Sequence, residues 1–233
     1  FMHDQDKELL LSCPVINTDI LAQLGAVLNP ADVLYLKSLG TTRKFSKNAT
    51  LVNSGDKMNQ LVYLIKGLVR TATTGEDGTE RTYGYFAPGC FIGDAAFFHR
   101  QPVLYDLRFM EQSEALIIER NQLPHIIKNP SIVQFMLVSV SLVSRTLAMR
   151  IEESSFRSKE EKVYRILLCL GGTEYVKYKP HFTHQEIADM AGVHRVTVTN
   201  TLQTLKKEGI VEVAERGRIR VKDLAKLHSK IHD

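Results

Sequence analysis

Cysteine is scarce in this chain: three in 233 residues, Cys13, Cys90 and Cys169, all far apart. An odd count with no C-x-x-C spacing excludes a disulfide framework and a cysteine zinc site, and reads as three reduced thiols. Long hydrophobic runs are missing too. The greasiest stretch, residues 132–143, is broken by Gln134, Ser139 and Ser141. It falls short of the roughly 20 residues that a membrane span needs, so no membrane association is expected. No charged-then-apolar leader opens the sequence, and a cytoplasmic protein is expected. Catalytic signatures are absent: there is no G-x-S-x-G, H-E-x-x-H, P-loop or G-x-G-x-x-G. None of the eight histidines has the H-x-H spacing of a cupin-type metal site. Asp94 and Asp106 can be drawn as an acid–base pair, but nothing else converges on them. The expectation is a protein that is not an enzyme and holds no metal.

What is present is a soluble composition, 44% hydrophobic and 24% charged, long enough for one large or two modest domains. The net charge of +4 is unevenly spread. Residues 1–157 hold 16 basic and 16 acidic side chains, whereas residues 158–233 hold 14 and 10. A neutral module is joined to one suited to a polyanion.

From Phe45 to Ile118 short apolar runs alternate with turn residues. The runs are residues 61–65, 68–73, 81–86, 104–110 and 115–118, and Gly55, Gly67, Gly78 and Gly89 recur at spacings of 12, 11 and 11. That rhythm predicts an antiparallel sandwich or barrel, with a hairpin at Asp77-Gly78. The texture changes at Pro130-Ser131, where Ser131 is the expected N-cap. Met136, Val140, Val143, Leu147 and Ile151 form one apolar stripe, and Ile132, Phe135, Leu142 and Met149 a second. A helix greasy on two sides needs two covers, and a second copy of the chain supplies the cover for the first stripe. A hinge is expected at residues 156–158, followed by a helix over residues 159–170.

The most specific pattern lies at residues 183–211. Thr183-His184-Gln185-Glu186 fits a capping box. Ile187, Ala188 and Ala191 form an inner face, Gly192 suits a tight turn, and Val198, Leu202 and Leu205 pack a second helix on the first. Lys206 and Lys207 suit its last turn, and Gly209 ends it. This stripe leaves Arg195, Val196, Thr199, Asn200 and Gln203 outside, side chains of the kind that read base edges. A hairpin with Arg216 and Arg218 at its tip follows, placed like a wing against phosphate. With Thr183, Gln185, His194 and Thr197, these arginines are the expected DNA-backbone contacts.

The segments Thr183–Ala188 and Gly192–Asn200 resemble the helix-turn-helix of the CRP/FNR (cyclic-AMP receptor protein) family of transcription regulators. Residues 52–56, 63–67 and 89–94 are similar to its front half. The resemblance implies an α+β fold: an N-terminal antiparallel β-barrel of jelly-roll, cyclic-nucleotide-binding-like type over residues 1–130, a dimerisation helix over 131–157, and a C-terminal winged helix-turn-helix over 158–233. It also implies a homodimer that binds double-stranded DNA, contacts RNA polymerase and responds to an effector in its barrel. Cyclic-nucleotide members carry Gly-Glu and, about ten residues on, Arg-Ser/Thr-Ala for the phosphate. Here Gly93-Asp94 matches the first part, but Val103-Leu104-Tyr105-Asp106 offers no basic residue. A cyclic-nucleotide-binding regulatory module therefore stands as the alternative. Cys13 stands alone where iron–sulfur members have a cluster, and His99 and His125 read as surface histidines rather than haem ligands. Val193–Thr199 is similar to the CprK-like branch, which controls organohalide respiration and senses halogenated phenols. The expected effector pocket comprises Tyr85, Phe91, Gly93, Asp94, Tyr105, Ser144 and Leu147 and suits a small, aromatic, non-cyclic-AMP ligand. Phe86 and Phe97 complete an aromatic set that core packing alone also explains.

Overall fold

Two apolar textures separate two compact units. The computed structural model describes residues 13–171, 182–214 and 218–231. One unit holds residues 15–78 and 83–144, and the other residues 79–82 and 145 onward, with residues 13–14. The tip of the expected wing, including Arg216, lies outside the described residues, as do the side chains of Ala214 and Arg218.

The first of these units is a two-sheet jelly roll rather than a closed barrel. Its strands are β1 (Val15–Ile16), β2 (Thr41–Phe45), β3 (Thr50–Val52), β4 (Gln60–Lys66), β5 (Val69–Thr74), β6 (Glu80–Phe86), β7 (Phe91–Ile92), β8 (Asp106–Phe109) and β9 (Ser113–Glu119). One sheet runs β1-β6-β5-β8-β3 and the other β2-β9-β4-β7. Val15 and Ile16 pair in parallel with Tyr85 and Phe86, whereas β2–β9, β3–β8, β4–β7, β4–β9 and β5–β8 pair antiparallel. Strand β1 reaches the sheet from a distant part of the chain, so no hairpin forces it to run antiparallel. The Asp77-Gly78 hairpin forms as expected, with Gly78 N–H closing on the Gly75 carbonyl at 3.0 Å.

Strand β4 shows how sequence sets burial. Leu61, Val62, Tyr63 and Leu64 are buried in succession, so both faces of the strand are covered. Val62 and Leu64 join the inter-sheet core with Val69, Ile92, Leu107, Phe109 and Ile117. On the other face the Tyr63 ring meets Phe91 at 5.2 Å. Phe91 in turn meets Phe135 edge-on at 5.9 Å. Each such fully buried ring contributes about 1.5–3 kcal/mol.

Before the sheets, helices α1 (Thr18–Gln23) and α2 (Pro30–Leu39) pack into this unit, and α3 (Asp94–His99) and α4 (Leu123–Ile126) follow within it. The long helix α5 spans Pro130–Phe156. Asn129, not Ser131, caps it, its Oδ1 accepting from Ile132 N–H at 3.2 Å. Pro130 takes the first helical position, where the missing N–H costs nothing. The Ser131 hydroxyl turns instead to Asp32, donating at 2.7 Å. α5 is long and apolar enough, by length and composition, to cross a membrane, although the interrupted run predicted otherwise. Ile132, Phe135 and Leu142 are buried as expected, but Met136 departs from the uncovered stripe. At 4% exposure Met136 is covered by its own chain, whereas Leu137, Val140, Leu147 and Ile151 are exposed.

Asp32 is the polar hinge pin of this unit. It is buried, and it accepts from Asn29 N–H at 3.2 Å, Ser131 Oγ at 2.7 Å and Asn129 Nδ2 at 3.1 Å. The Ser131 hydrogen bond leads the causes that hold its carboxyl below the ordinary carboxylate value. Truncation removes three part-buried hydrogen bonds to a carboxylate, so Asp32→Ala is expected to cost about 1–3 kcal/mol in urea unfolding at pH 7. A carboxyl whose pKa is lowered on folding stabilises above its unfolded value and loses that contribution as pH falls. The gap between wild type and variant should therefore narrow below pH 4, and a pH-independent gap would contradict this account.

Candidate nucleic-acid interface

The C-terminal part of the second unit is built from α6 (Lys159–Gly171), α7 (His184–Ala191), α8 (Arg195–Lys207), strands β10 (Val211–Ala214) and β11 (Arg218–Val221), and α9 (Leu224–Ser229). Thr183 caps α7 as the sequence predicts. Its Oγ1 accepts from Glu186 N–H at 3.2 Å, while Glu186 Oε2 accepts from Thr183 N–H at 2.7 Å. Gly192 ends α7 at φ +65°, a left-handed conformation that favours glycine. A Cβ there would also collide with the Arg81 guanidinium.

α7 and α8 pack through Ile187, Ala188 and Met190 on one helix and Val198, Thr201, Leu202 and Leu205 on the other. Met190 and Thr201 were not in the predicted stripe, and Ala191 is only half-buried. Both additions fall one residue from predicted members, where a 3.6-residue period widens the buried face. This packing turns Arg195, Val196, Asn200 and Gln203 outward. All four are exposed, Val196 at 67%. Thr199 is half-buried and differently engaged. Its Oγ1 donates to the Arg195 carbonyl at 3.1 Å and lies 3.1 Å from His184 Nδ1.

Among the expected backbone contacts, His194 is the exposed N-cap of α8 and makes no side-chain capping bond. Thr197 is half-buried. Gln185 is turned along its helix to Asp189, donating at 2.7 Å. β10 and β11 form the wing, pairing Glu212 with Arg220 and Ala214 with Arg218. Glu212 lies 3.6 Å from Arg220 and 3.3 Å from Lys222, which partly neutralises the base of the wing.

Arg150, late in α5, was missed at the sequence level, because nothing in a helical arginine marks its acceptors. Within its unit its Nη1 donates to the Thr82 carbonyl at 2.8 Å and its Nη2 to the Met190 carbonyl at 3.1 Å. Met190 is in the last turn of α7, whose carbonyls have no partner inside the helix. Arg165 and Glu153 add an ion pair in the same unit.

The expected effector residues divide. Tyr85 and Phe91 are fully buried, Gly93 is the left-handed N-cap of α3, and Asp94 opens that helix. Asp94 Oδ1 accepts from Ala95 N–H at 2.9 Å. Burial pushes its carboxyl above the ordinary value. Tyr105 is also raised, by burial first and by Asp94 second. Its ring lies 6.2 Å from Tyr83. Burial lifts the Cys90 thiol to about 12. Where the phosphate-binding arginine would fall, Leu104 is 78% exposed, and Asp106 is bound to the loop, accepting from Ser54 N–H at 2.8 Å. Ser144 is exposed at the end of this unit, whereas Leu147 belongs to the other unit. Sequence reasoning also missed Ser139, buried at 1% exposure, whose hydroxyl has no hydrogen-bond partner among the described residues. A separate cleft of about 380 Å³, lined by Lys44, Lys66, Gln112 and Glu114 among others, shares none of these residues.

Residues 42–129 match the cyclic nucleotide-binding domain family, and residues 161–230 match the Crp-like helix-turn-helix domain. The chain belongs to the CRP/FNR family of transcription regulators. It is 23% identical over 192 residues to the anaerobic regulatory protein of Bacillus subtilis, covering 79% of this chain and 81% of that one. It is 25% identical over 175 residues to the cAMP-activated global transcriptional regulator CRP of Pasteurella multocida, covering 72% and 84%. Among solved structures it resembles a mutant of CooA from Carboxydothermus hydrogenoformans, with a TM-score of 0.72, 20% identity and 93% and 97% of the two chains covered. It also resembles a cysteine-to-serine variant of CprK complexed with OCPA, with a TM-score of 0.67, 18% identity and 85% and 92% covered. These matched proteins are regulators and not enzymes. As a CRP/FNR regulator the chain binds DNA through its helix-turn-helix and carries a ligand-binding domain ahead of it.

Asp94 supplies a pH test of the ligand domain. A carboxyl raised on folding weakens the fold as pH climbs from its unfolded value through its folded one. Asp94→Asn keeps the acceptor for Ala95 N–H and removes the half-buried charge. The variant should melt higher than wild type at pH 7 and equal to it near pH 3. Equal melting at both values would mean that Asp94 is solvated.

Proposed function

We propose that this regulator is a homodimer that reads an A·T-rich palindrome when a small, apolar or aromatic effector other than cyclic AMP occupies its N-terminal unit. The observation that carries the reading is the outward face of α8. Val196 has methyl groups suited to thymine, Asn200 the amide that pairs with adenine, and Arg195 the fork that suits guanine or a phosphate. Gln203 extends the reading face. Thr183, Gln185, His194, Thr197, Arg216 and Arg218 are assigned to the DNA backbone.

The division of labour follows the chain: residues 1–130 sense, 131–157 dimerise and 158–233 bind DNA. Val140, Val143, Leu147 and Ile151 make the seam, because three of them are well exposed and Val143 is half-covered in the single chain. Leu137 extends that apolar surface. The regulator works on chromosomal DNA in the cytoplasm and contacts RNA polymerase, as its family does. Among the family's branches the CprK-like regulators are the proposed relatives in effector chemistry.

A non-nucleotide effector is supported by charge. Asp94 faces its surroundings with no cation among the causes of its shifted titration. A phosphate buried beside a carboxylate and without a charge partner costs several kcal/mol. Tyr85, Phe91, Gly93, Asp94 and Tyr105 are the assigned ligand residues of this unit, with Ser144 at its edge. The cyclic-nucleotide-binding match is what keeps a nucleotide-binding module as the second reading.

Selection from random duplexes tests the DNA reading. Wild type should recover a palindrome with half-site centres about 10–10.5 bp apart and A·T-rich arms. Val196→Glu should move one position of each arm toward G·C, by roughly 1–3 kcal/mol per base pair. A G·C-rich wild-type site, or an unchanged motif in the variant, would remove Val196 from the reading face. Calorimetry with cyclic AMP is expected to give no low-micromolar binding, and a clear low-micromolar isotherm would restore the nucleotide module.

A further inference from the structure

The turn between α7 and α8 is held from outside the helix-turn-helix at two neighbouring points. Within the turn, the Ala188 carbonyl accepts from the Gly192 and Val193 amides. The Met190 carbonyl is taken instead by Arg150 Nη2 at 3.1 Å, while Arg150 Nη1 reaches the Thr82 carbonyl at 2.8 Å. Thr82 and Met190 are 4% and 5% exposed, so water competes little with either bond. Two residues beyond Met190, Gly192 lies so close to the Arg81 guanidinium that a Cβ would strike it. Arg81 and Thr82 are consecutive residues of β6. One strand therefore meets the turn twice, once directly and once through Arg150.

The strand continues beyond this point. Arg81 and Thr82 group with the helix-turn-helix, whereas Tyr83 to Phe86 belong to the jelly-roll unit. There Tyr85 and Phe86 pair with Val15 and Ile16, and the Gly84 carbonyl accepts from the Thr71 hydroxyl at 3.0 Å. The Tyr83 ring lies 6.2 Å from Tyr105. Hydrogen-bonded strands and packed helices are the stiff elements through which distant sites are coupled. At the other end of the path, Ile187 and Ala188 lock α7 against Val198 and Leu202 of α8. A shift of the turn must therefore carry the start of α8 with it.

We propose that Arg150 is a positioning residue for DNA binding: through the Met190 carbonyl it ties α8 to strand β6, so that the state of β6 and the placement of the reading face on DNA are set together. Arg81 against Gly192 is the second tie of the same strand. The inference rests on DNA binding by the helix-turn-helix and needs no identity for the effector. Tyr85, assigned above to the effector, stands three residues from Thr82 on this strand.

Coupling of this kind is reciprocal: if β6 biases DNA binding, DNA biases β6 by the same factor. DNA can therefore serve as the ligand and the amides of β6 as the readout. The test is hydrogen–deuterium exchange of the full chain, with and without a duplex that wild type has selected from the random pool. In wild type, DNA should slow exchange at residues 195–203 by contact, and at residues 83–86 through Arg150 by at least about fivefold. Arg150→Gln should keep the slowing at 195–203 and lose it at 83–86. A merely structural loss would speed exchange alike with and without DNA, leaving the difference between the two states unchanged. Arg145→Gln removes an exposed cation from the same helix and should behave as wild type; loss of the slowing there would make the effect one of charge and overturn the proposal. Circular dichroism melts report whether each variant is folded. Where Arg150→Gln fails to fold, Arg81→Ala, which leaves both Arg150 bonds in place, decides instead and should shrink the slowing at 83–86. Unchanged slowing at 83–86 in the deciding variant, or none there in wild type, overturns the proposal while leaving the DNA reading intact. Absence of slowing at 195–203 in wild type overturns both.

Discussion

Everything in the arrangement depends on one helix being apolar on two sides. α5 sinks Ile132, Phe135 and Leu142 into protein and leaves Leu137, Leu147 and Ile151 exposed. The buried side is tied into the jelly roll by aromatic contact, Phe135 on Phe91 and Phe91 on Tyr63. Its first turn is pinned by Asp32, which collects Asn129 and Ser131. Exposed apolar area on this scale has to be covered or tolerated at a cost in solubility. A second copy of the same helix covers it most simply, because a two-fold interface asks only that a surface complement itself. The proposed dimerisation therefore draws on packing already present in the single chain.

The same logic of faces governs α8. Its buried side chains, Val198, Thr201, Leu202 and Leu205, fix its rotation on α7. Once rotation is fixed, the opposite side is fixed too, and Arg195, Val196, Asn200 and Gln203 have nowhere to point but outward. The buried face and the proposed reading face are thus divided along one helix by its period. This is why so much of the helix-turn-helix geometry is legible in the sequence. Capping box, glycine turn and apolar stripe are all local signals, each read within a few residues, and they agree with one another.

What was not legible involves partners distant in sequence. The strand runs were visible, but their order in two separate sheets was not. The parallel pairing of β1 with β6 had no signal, since two residues carry no period. The N-terminal helices α1 and α2 were overlooked, although Asn29-Pro30 with Asp32 is a capping box of the same kind as Thr183 with Glu186. Met136 was assigned to the uncovered stripe because helical spacing alone cannot tell which of two apolar faces meets the chain's own protein. Thr199 shares the outward side by spacing, yet its hydroxyl is engaged by His184 and Arg195. In each case the residue type was right for its helix, and the long-range neighbour decided its role.

Arg150 carries a consequence for how this protein can change over time. Its two nitrogens bind the carbonyls of Thr82 and Met190, and both acceptors are main chain. Any residue at positions 82 and 190 still presents a carbonyl, so those positions can drift without breaking the junction. Lysine cannot replace the arginine, because one ammonium lacks the rigid planar fork that spans two acceptors. For these two bonds the sequence requirement therefore falls on the arginine side chain alone. Comparison of related sequences for paired substitutions would pass over these two bonds, since a carbonyl persists whatever side chain positions 82 and 190 carry.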